Sequence, residues 1–153
     1  MKYYVESYGC TLNQGETEMI ADSYEEKGHE RVYDPSEADI AILGTCVVIR
    51  KTEQRMKRRI DELQDKCSNL VVTGCLTTTD REDVEERCSK AQLIEPGKMD
   101  MTESYNRSNI GTIPISTGCF GNCTYCITKI ARGNLNSRPL NEIKRRFRSL
   151  LDN

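Results

Sequence analysis

Residues Ile40–Cys46 read IAILGTC: four apolar residues in a row, then a glycine, a threonine and a cysteine. An apolar run this short, without the alternation of a half-exposed strand, is the pattern of a strand buried on both faces of a parallel sheet. The flanking sequence repeats the theme. Lys2–Ser7 alternates and is rich in Tyr and Val, as a strand should be. Leu70–Thr73 is another buried strand, and Gln92–Glu95 a further one that ends at the Pro96-Gly97 turn. Helical periods separate them. Glu16–Lys27 places Ile20 and Tyr24 on one face with Gly28 as its C-cap, and Thr52–Ser68 carries Met56, Ile60, Leu63 and Cys67 as an apolar stripe. Asp80 is placed to cap a helix running to about Cys88, and Arg31–Tyr33 is a short extended piece stopped by Asp34-Pro35. Strands and helices alternating with short connections predict an α/β domain over residues 1–97, a doubly wound, flavodoxin-like parallel sheet.

Three cysteines occupy equivalent places on this map. Cys10 follows the first strand in SYGC, Cys46 follows IAILGT, and Cys75 follows LVVTG, each with a glycine one or two residues before it. Strand ends in a parallel sheet point the same way, and ligands bind outside the carboxyl ends. Thiols far apart in sequence are thereby expected to converge. Glycine at each approach allows a tight turn and close backbone access to a bulky inorganic group. This is the pattern of a three-cysteine cluster site.

A second set lies in Ser116–Pro139, STGCFGNCTYCITKIARGNLNSRP, where Cys119, Cys123 and Cys126 stand in a C-x-x-x-C-x-x-C spacing beside Gly118 and Gly121. No single helix or strand face can present all three thiols, so the backbone must loop around whatever they bind. Three thiolates suit a soft metal centre, and iron–sulfur clusters are held through cysteine. In a 4Fe-4S cube, three protein thiolates leave one iron open to a non-protein ligand. The residues themselves also admit a zinc site lacking its fourth ligand locally, or a chance cluster in a cysteine-rich chain. The two remaining cysteines, Cys67 and Cys88, fall on helices and read as small buried hydrophobes.

Composition narrows the setting. With 153 residues, 37% hydrophobic and 30% charged, the chain is of ordinary domain size, and its longest apolar run, broken by Gly44 and Thr45, is too short to span a bilayer. No signal peptide is visible in Met1–Tyr8, so a cytoplasmic location and no membrane partner are expected. Eight cysteines in that reducing setting point to metal binding or catalysis rather than a disulfide framework. The net charge of −2 advertises no global nucleic-acid field. Two local basic patches, Arg50–Arg59 and Lys144–Arg148, sit on amphipathic helices and read first as solvated faces interleaved with acids.

The segment GCFGNCTYCITKIARGNLNSRP resembles the radical S-adenosylmethionine (SAM) superfamily, whose motif is C-x-x-x-C-x-aromatic-C, with Tyr125 in the aromatic position. The closer resemblance is to the methylthiotransferases, in particular the archaeal and eukaryotic tRNA type. ESYGCTLNQGETE is similar to that family's N-terminal signature, in which Asn follows the cysteine by three and an acidic residue by six, here Asn13 and Glu16. Glu16-Thr17-Glu18 stands where a common form has Asp-Ser-Glu. GTCVVIRKTEQRMKRRI and VTGCL resemble the segments around the second and third ligands.

The resemblance implies a two-cluster enzyme. Cys119, Cys123 and Cys126 would hold the 4Fe-4S cluster whose open iron chelates SAM, beside Tyr125, and an electron donor would release a 5'-deoxyadenosyl radical from it. Cys10, Cys46 and Cys75 would hold a second 4Fe-4S cluster that carries the sulfur to be transferred. No catalytic residue beyond the cluster ligands is implied. The substrate would be adenosine 37 in a tRNA anticodon loop, methylthiolated at C2, and the CTYCITKIARG form leans toward N6-threonylcarbamoyladenosine. Unstacked loop bases suit enzymes that act on a base. Alternatives are the branch acting on an aspartate of a ribosomal protein, and a non-enzymatic cluster- or zinc-binding module. Residues 98–111 read as a linker. Residues 112–153 read as the start of a truncated radical SAM partial barrel: a strand at Thr112–Ile115, the cysteine loop, and a helix over Leu140–Leu151 with Ile143, Phe147 and Leu150 on one face.

Overall fold

The computed structural model describes residues 1–98 and 111–151. Five parallel strands form one sheet in the order β2-β1-β3-β4-β5: β1 (Lys2–Ser7), β2 (Glu30–Val32), β3 (Ile40–Thr45), β4 (Asn69–Gly74) and β5 (Gln92–Ile94). This is the flavodoxin-like order of a doubly wound sheet. β3 lies at its centre, and all six of its residues are buried. Alternation along β3 then divides the core. Ile40 and Ile42 join Tyr3, Ile20, Ala21 and Val71 under α1 (Thr11–Glu26). Ala41 and Leu43 face the other way, into Met56, Ile60 and Leu63 of α2 (Arg50–Lys66), with Leu76 of α3 (Leu76–Thr79) and Val84 of α4 (Arg81–Arg87). Helices on both faces explain why the run is apolar throughout.

The boundaries differ from expectation in instructive places. Helix α1 begins at Thr11 rather than Glu16, directly after Cys10, whose side chain makes no capping hydrogen bond while its carbonyl accepts the Gln14 N–H at 3.0 Å. Asp80 precedes α4 but does not cap it either; its carboxylate pairs with Lys57 of α2. Helix α3 was not expected, because LTTT has neither a helical period nor strong helix formers. At the other end of α1, Gly28 follows the last turn with φ +81°, in the left-handed region a C-cap glycine serves.

Beyond the sheet, β6 (Ser116–Thr117) pairs antiparallel with β7 (Asn136–Ser137), bracketing the cysteine loop and α5 (Thr128–Arg132), and α6 (Leu140–Leu151) follows. The strand expected at Thr112–Ile115 therefore lies later, at Ser116. Pro114 sits inside the expected stretch and has no N–H to give to a ladder. On α6 the inward face also differs: Arg146 is buried, whereas Phe147 is 54% exposed. Arg146 is the buried residue of the helix, with Ile143 and Leu150 half-buried, and Arg146 Nη2 stands 4.0 Å from Asp22 Oδ2 on α1. The expected linker, 98–111, lies almost wholly outside the described residues. Among the described residues, no helix is long and apolar enough to cross a membrane.

Candidate metal centres

Because β1, β3 and β4 are neighbours in a parallel sheet, the three turns that follow them lie side by side. Cys10 precedes α1, Cys46 follows β3, and Cys75 sits between β4 and α3. The approach to Cys75 is tight. Gly74 has φ +91°, and a Cβ there would stand 2.3 Å from the Thr45 carbonyl oxygen, so only glycine lets the two strand ends come this close. Exposure is graded across the set: Cys10 is exposed, Cys46 half-buried and Cys75 buried. Burial pushes the Cys75 thiol up, the Arg132 guanidinium and the Asn13 amide pull it down, and the neighbouring Cys46 pushes it up again.

The second set is built on a closed loop. Cys119 N–H donates to the Gly133 carbonyl at 3.1 Å, so the segment from Cys119 to Gly133 returns on itself. Gly118, at φ +80°, makes the closure possible, since a Cβ there would fall 2.1 Å from the Asn134 carbonyl oxygen. Cys119, Cys123 and Cys126 together line a cavity of about 240 Å³ with Lys129 and Ile130 at its side. Gly121 forms part of its wall: its N–H donates to Cys119 Sγ at 3.2 Å. A Cβ at Gly121 would lie 3.4 Å from that sulfur and 3.7 Å from Cys123 Sγ. The Thr128 hydroxyl and backbone N–H donate to Cys126 and hold its thiol below the ordinary range. Tyr125 is 89% exposed.

All eight cysteines are free thiols. Among the described residues, no three Cys, His, Asp or Glu side chains stand close enough to hold a single metal ion. A multi-iron cluster asks for something else, one thiolate at each of several corners around a cavity. The loop, with three thiols and no side chain at Gly121 to enter the space, fits that demand. Cys67 and Cys88 belong elsewhere: both are buried in the core cluster beneath α2 and α4.

The two sets are joined by Arg132 together with Asn13 and Glu16, the two residues of the N-terminal signature to which the resemblance assigns no role. Arg132, at the end of α5, donates from Nη1 to Glu16 Oε1 at 3.0 Å and from Nη2 to Glu16 Oε2 at 2.8 Å. Both side chains are about 5% exposed. Glu16 Oε1 also accepts the Gly97 N–H at 3.2 Å. Arg132 further donates to Asn13 Oδ1, and Asn13 Nδ2 lies 3.1 Å from the Thr45 carbonyl and 3.9 Å from Cys75 Sγ. Helix α5 thereby packs on α3, the helix that Cys75 opens.

Comparison with known proteins follows the same lines. The model of the Uncharacterized protein family UPF0004 matches residues 2–95. Over 99% of its length the chain is 38% identical to a Methanocaldococcus jannaschii protein named probable threonylcarbamoyladenosine tRNA methylthiotransferase, and it covers 42% of that protein. A Pyrococcus abyssi protein of the same name is 33% identical over 90% of the chain, which covers 39% of it. A Thermosipho africanus protein named tRNA-2-methylthio-N(6)-dimethylallyladenosine synthase is 30% identical over 98% of the chain, which covers 41% of it. The chain thus spans about two fifths of the length of the curated relatives it matches. It belongs to the Uncharacterized protein family UPF0004 and corresponds to the N-terminal portion of the methylthiotransferases.

Proposed function

We propose that this chain supplies both cysteine sites of a tRNA methylthiotransferase: a 4Fe-4S cluster on Cys10, Cys46 and Cys75, and a SAM-binding 4Fe-4S cluster on Cys119, Cys123 and Cys126. The observation that carries the reading is the adjacency of β1, β3 and β4, which sets three cysteine turns side by side at the carboxyl end of the sheet. When bound, the cluster on the loop together with SAM supplies the radical chemistry, and the cluster at the sheet supplies sulfur. The chain's own part is to hold and to admit. Gly121 leaves the loop cavity open to a ligand beside the sulfurs, and Thr128 favours the thiolate form of Cys126, the form in which cysteine binds metal. Burial of Cys75 keeps water from the inner side of the other site.

The substrate class follows from the relatives' names, which all refer to tRNA adenosines. The greater identity to the threonylcarbamoyladenosine group favours N6-threonylcarbamoyladenosine 37 in the anticodon loop. An electron donor and a cytoplasmic setting are part of the same proposal. In this reading residues 1–97 form the sulfur-bearing domain, 98–111 the linker, and 112–153 the beginning of the radical SAM domain.

Anaerobic reconstitution tests the sites. The wild-type chain should bind two clusters, and replacing Cys10, Cys46 and Cys75 together by Ala should leave about half of the iron and sulfide. Loss of all iron, or of none, would count against two independent sites. Nucleoside analysis of tRNA from cells with and without the gene tests the substrate: a 2-methylthio group on threonylcarbamoyladenosine supports it. The same group on dimethylallyladenosine, or on a ribosomal-protein aspartate, moves the chain to another branch.

A further inference from the structure

A buried arginine that serves one site from the chain segment of the other calls for a reason beyond docking. Glu16 alone would satisfy Arg132 as a docking partner, since both carboxylate oxygens are already engaged in a fork. Nη2 nevertheless makes a further bond, to Asn13 Oδ1. That contact decides the orientation of the Asn13 amide. Guanidinium nitrogens can only donate, so the Asn13 oxygen must face Arg132. The Thr45 carbonyl on the opposite side can only accept, so the NH2 must face it. Both neighbours enforce one orientation, and its consequence is that an N–H donor, not an oxygen lone pair, is presented to Cys75 Sγ at 3.9 Å. Asn13 itself is 1% exposed, so no water competes for the amide.

We propose that Arg132 is a positioning residue for the N-terminal cysteine site: acting through Asn13, it sets a hydrogen-bond donor on the Cys75 sulfur and so tunes the reduction potential of the cluster bound there. The inference rests on the cluster reading above and adds to it a residue from the other segment. Hydrogen bonds to ligating sulfurs are among the determinants of cluster potential, and partners one shell out are part of a metal site's design. A donor N–H stabilises the more negative, reduced cluster, so it raises the potential. Arg132 sits next to Gly133, whose carbonyl closes the Cys119 loop. The relay therefore also ties the base of one cysteine loop to the deepest ligand of the other site.

The test uses the full chain with Cys119, Cys123 and Cys126 replaced by Ala, so that only the N-terminal site can load. Potentials are read by anaerobic redox titration monitored by electron paramagnetic resonance. Arg132→Gln removes both the contact to Asn13 and the positive charge that acts on Cys75 directly, and should lower the potential by at least the equivalent of about a tenfold loss in the equilibrium constant for reduction, 59 mV for one electron. Arg132→Lys keeps the buried positive charge opposite Glu16 but lacks the fork that reaches Asn13, and it should show most of the same shift. Asn13→Asp, isosteric and paired with Arg132, should lower the potential at least as far. A wild-type potential in Arg132→Lys, or in a fully loaded Arg132→Gln, overturns the relay. Where Arg132→Gln fails to fold, the Lys and Asp variants decide alone. A parent that binds no iron refutes the cluster reading instead. A separate check needs no iron: in the apo chain the Asn13 side-chain NH2 protons should exchange slowly with solvent by NMR and at least tenfold faster in Arg132→Lys, and fast exchange in the wild type refutes the buried relay itself.

Discussion

Residues 1–98 and 111–151 are held in place by different physics. The first region buries a continuous apolar core on both faces of its sheet, with Tyr3, Ile42, Leu43, Met56, Ile60 and Leu63 wholly out of solvent. In the second, the buried residues are Pro114, Ala131 and Arg146 among those described, and Phe120, Tyr125, Ile130, Leu140 and Phe147 are exposed. The later region meets the sheet domain by α5 on α3, by Thr112 against Gly15, and by two buried charges, Arg132 on Glu16 and Arg146 beside Asp22. Hydrophobic burial is nondirectional and insensitive to pH, whereas buried ion pairs are specific in geometry and costly to desolvate. The first region should thus hold the scaffold, and the second should respond to its electrostatic surroundings.

The largest effect that separates them is expected from core truncation. Leu43→Ala removes a fully buried side chain packed against α2 and should cost about 2–5 kcal/mol, with unfolding of the whole sheet domain at lower denaturant. Phe147→Ala on α6, more than half exposed, should change the same midpoint by no more than about 0.5 kcal/mol. Equal losses from the two substitutions, read by equilibrium denaturation, would mean that both regions share one apolar core.

A smaller, more local effect is expected from pH. Asp22 is raised from 3.8 to about 7: burial raises it most, Arg146 opposes, and Glu18, Glu25 and Glu26 add to the rise. Since the folded value lies above the unfolded one, the docked form holds a proton that the undocked form releases. The associated stability is full below about pH 4 and is lost as pH rises toward 7. Three pH units at about 1.4 kcal/mol each set a ceiling of roughly 4 kcal/mol. Arg146 cannot offset the cost, because at 4.0 Å it makes no hydrogen bond to the carboxylate, and burial pushes its own pKa down. Hydrogen exchange in α6, corrected for intrinsic rates, should show weaker protection at pH 7.5 than at pH 5. Asp22→Asn should remove most of that difference, and an unchanged difference would place the proton elsewhere.

The same contrast governs what could be read from the chain itself. β1, β3 and β4 were legible because burial on one or both faces writes itself into local composition, and the cysteine turns were legible because each follows such a strand. Helix α5, Arg132 and the inward face of α6 were not. The 116-residue separation of Glu16 and Arg132 leaves no local period, and a helical pattern in LNEIKRRFRSLL favours Phe147 as the inward residue over Arg146. Only the position of Asp22 across from α6 gives a guanidinium reason to turn inward. Basic residues expected to be solvated proved similarly committed: Lys57 reaches Asp80 and Asp83, Arg59 reaches Glu6, and Arg55 lies over the Tyr8 ring at 4.8 Å. Charge placement across the fold is a tertiary property, invisible to periodicity.

The smallest effect is expected at the two cysteines outside the proposed cluster sites. Cys67 ends α2 with its sulfur 3.3 Å from the Pro35 carbonyl, and Cys88 ends α4. Both are less than 10% exposed and lie in the apolar cluster on the α2 face. Burial pushes the Cys67 thiol up as it does that of Cys75, so what sets Cys67 apart is its place in the apolar cluster under α2, away from the turns that follow β1, β3 and β4. Each therefore acts as a small hydrophobe with a weak S–H donor, and Ala at either position should cost on the order of 1 kcal/mol for the lost sulfur contacts. Iron content after reconstitution should be unchanged in the double variant. If one cluster's worth of iron were lost on either substitution, the ligand sets would have to be redrawn through the apolar core beneath α2, where Cys67 precedes β4 whereas Cys75 follows it.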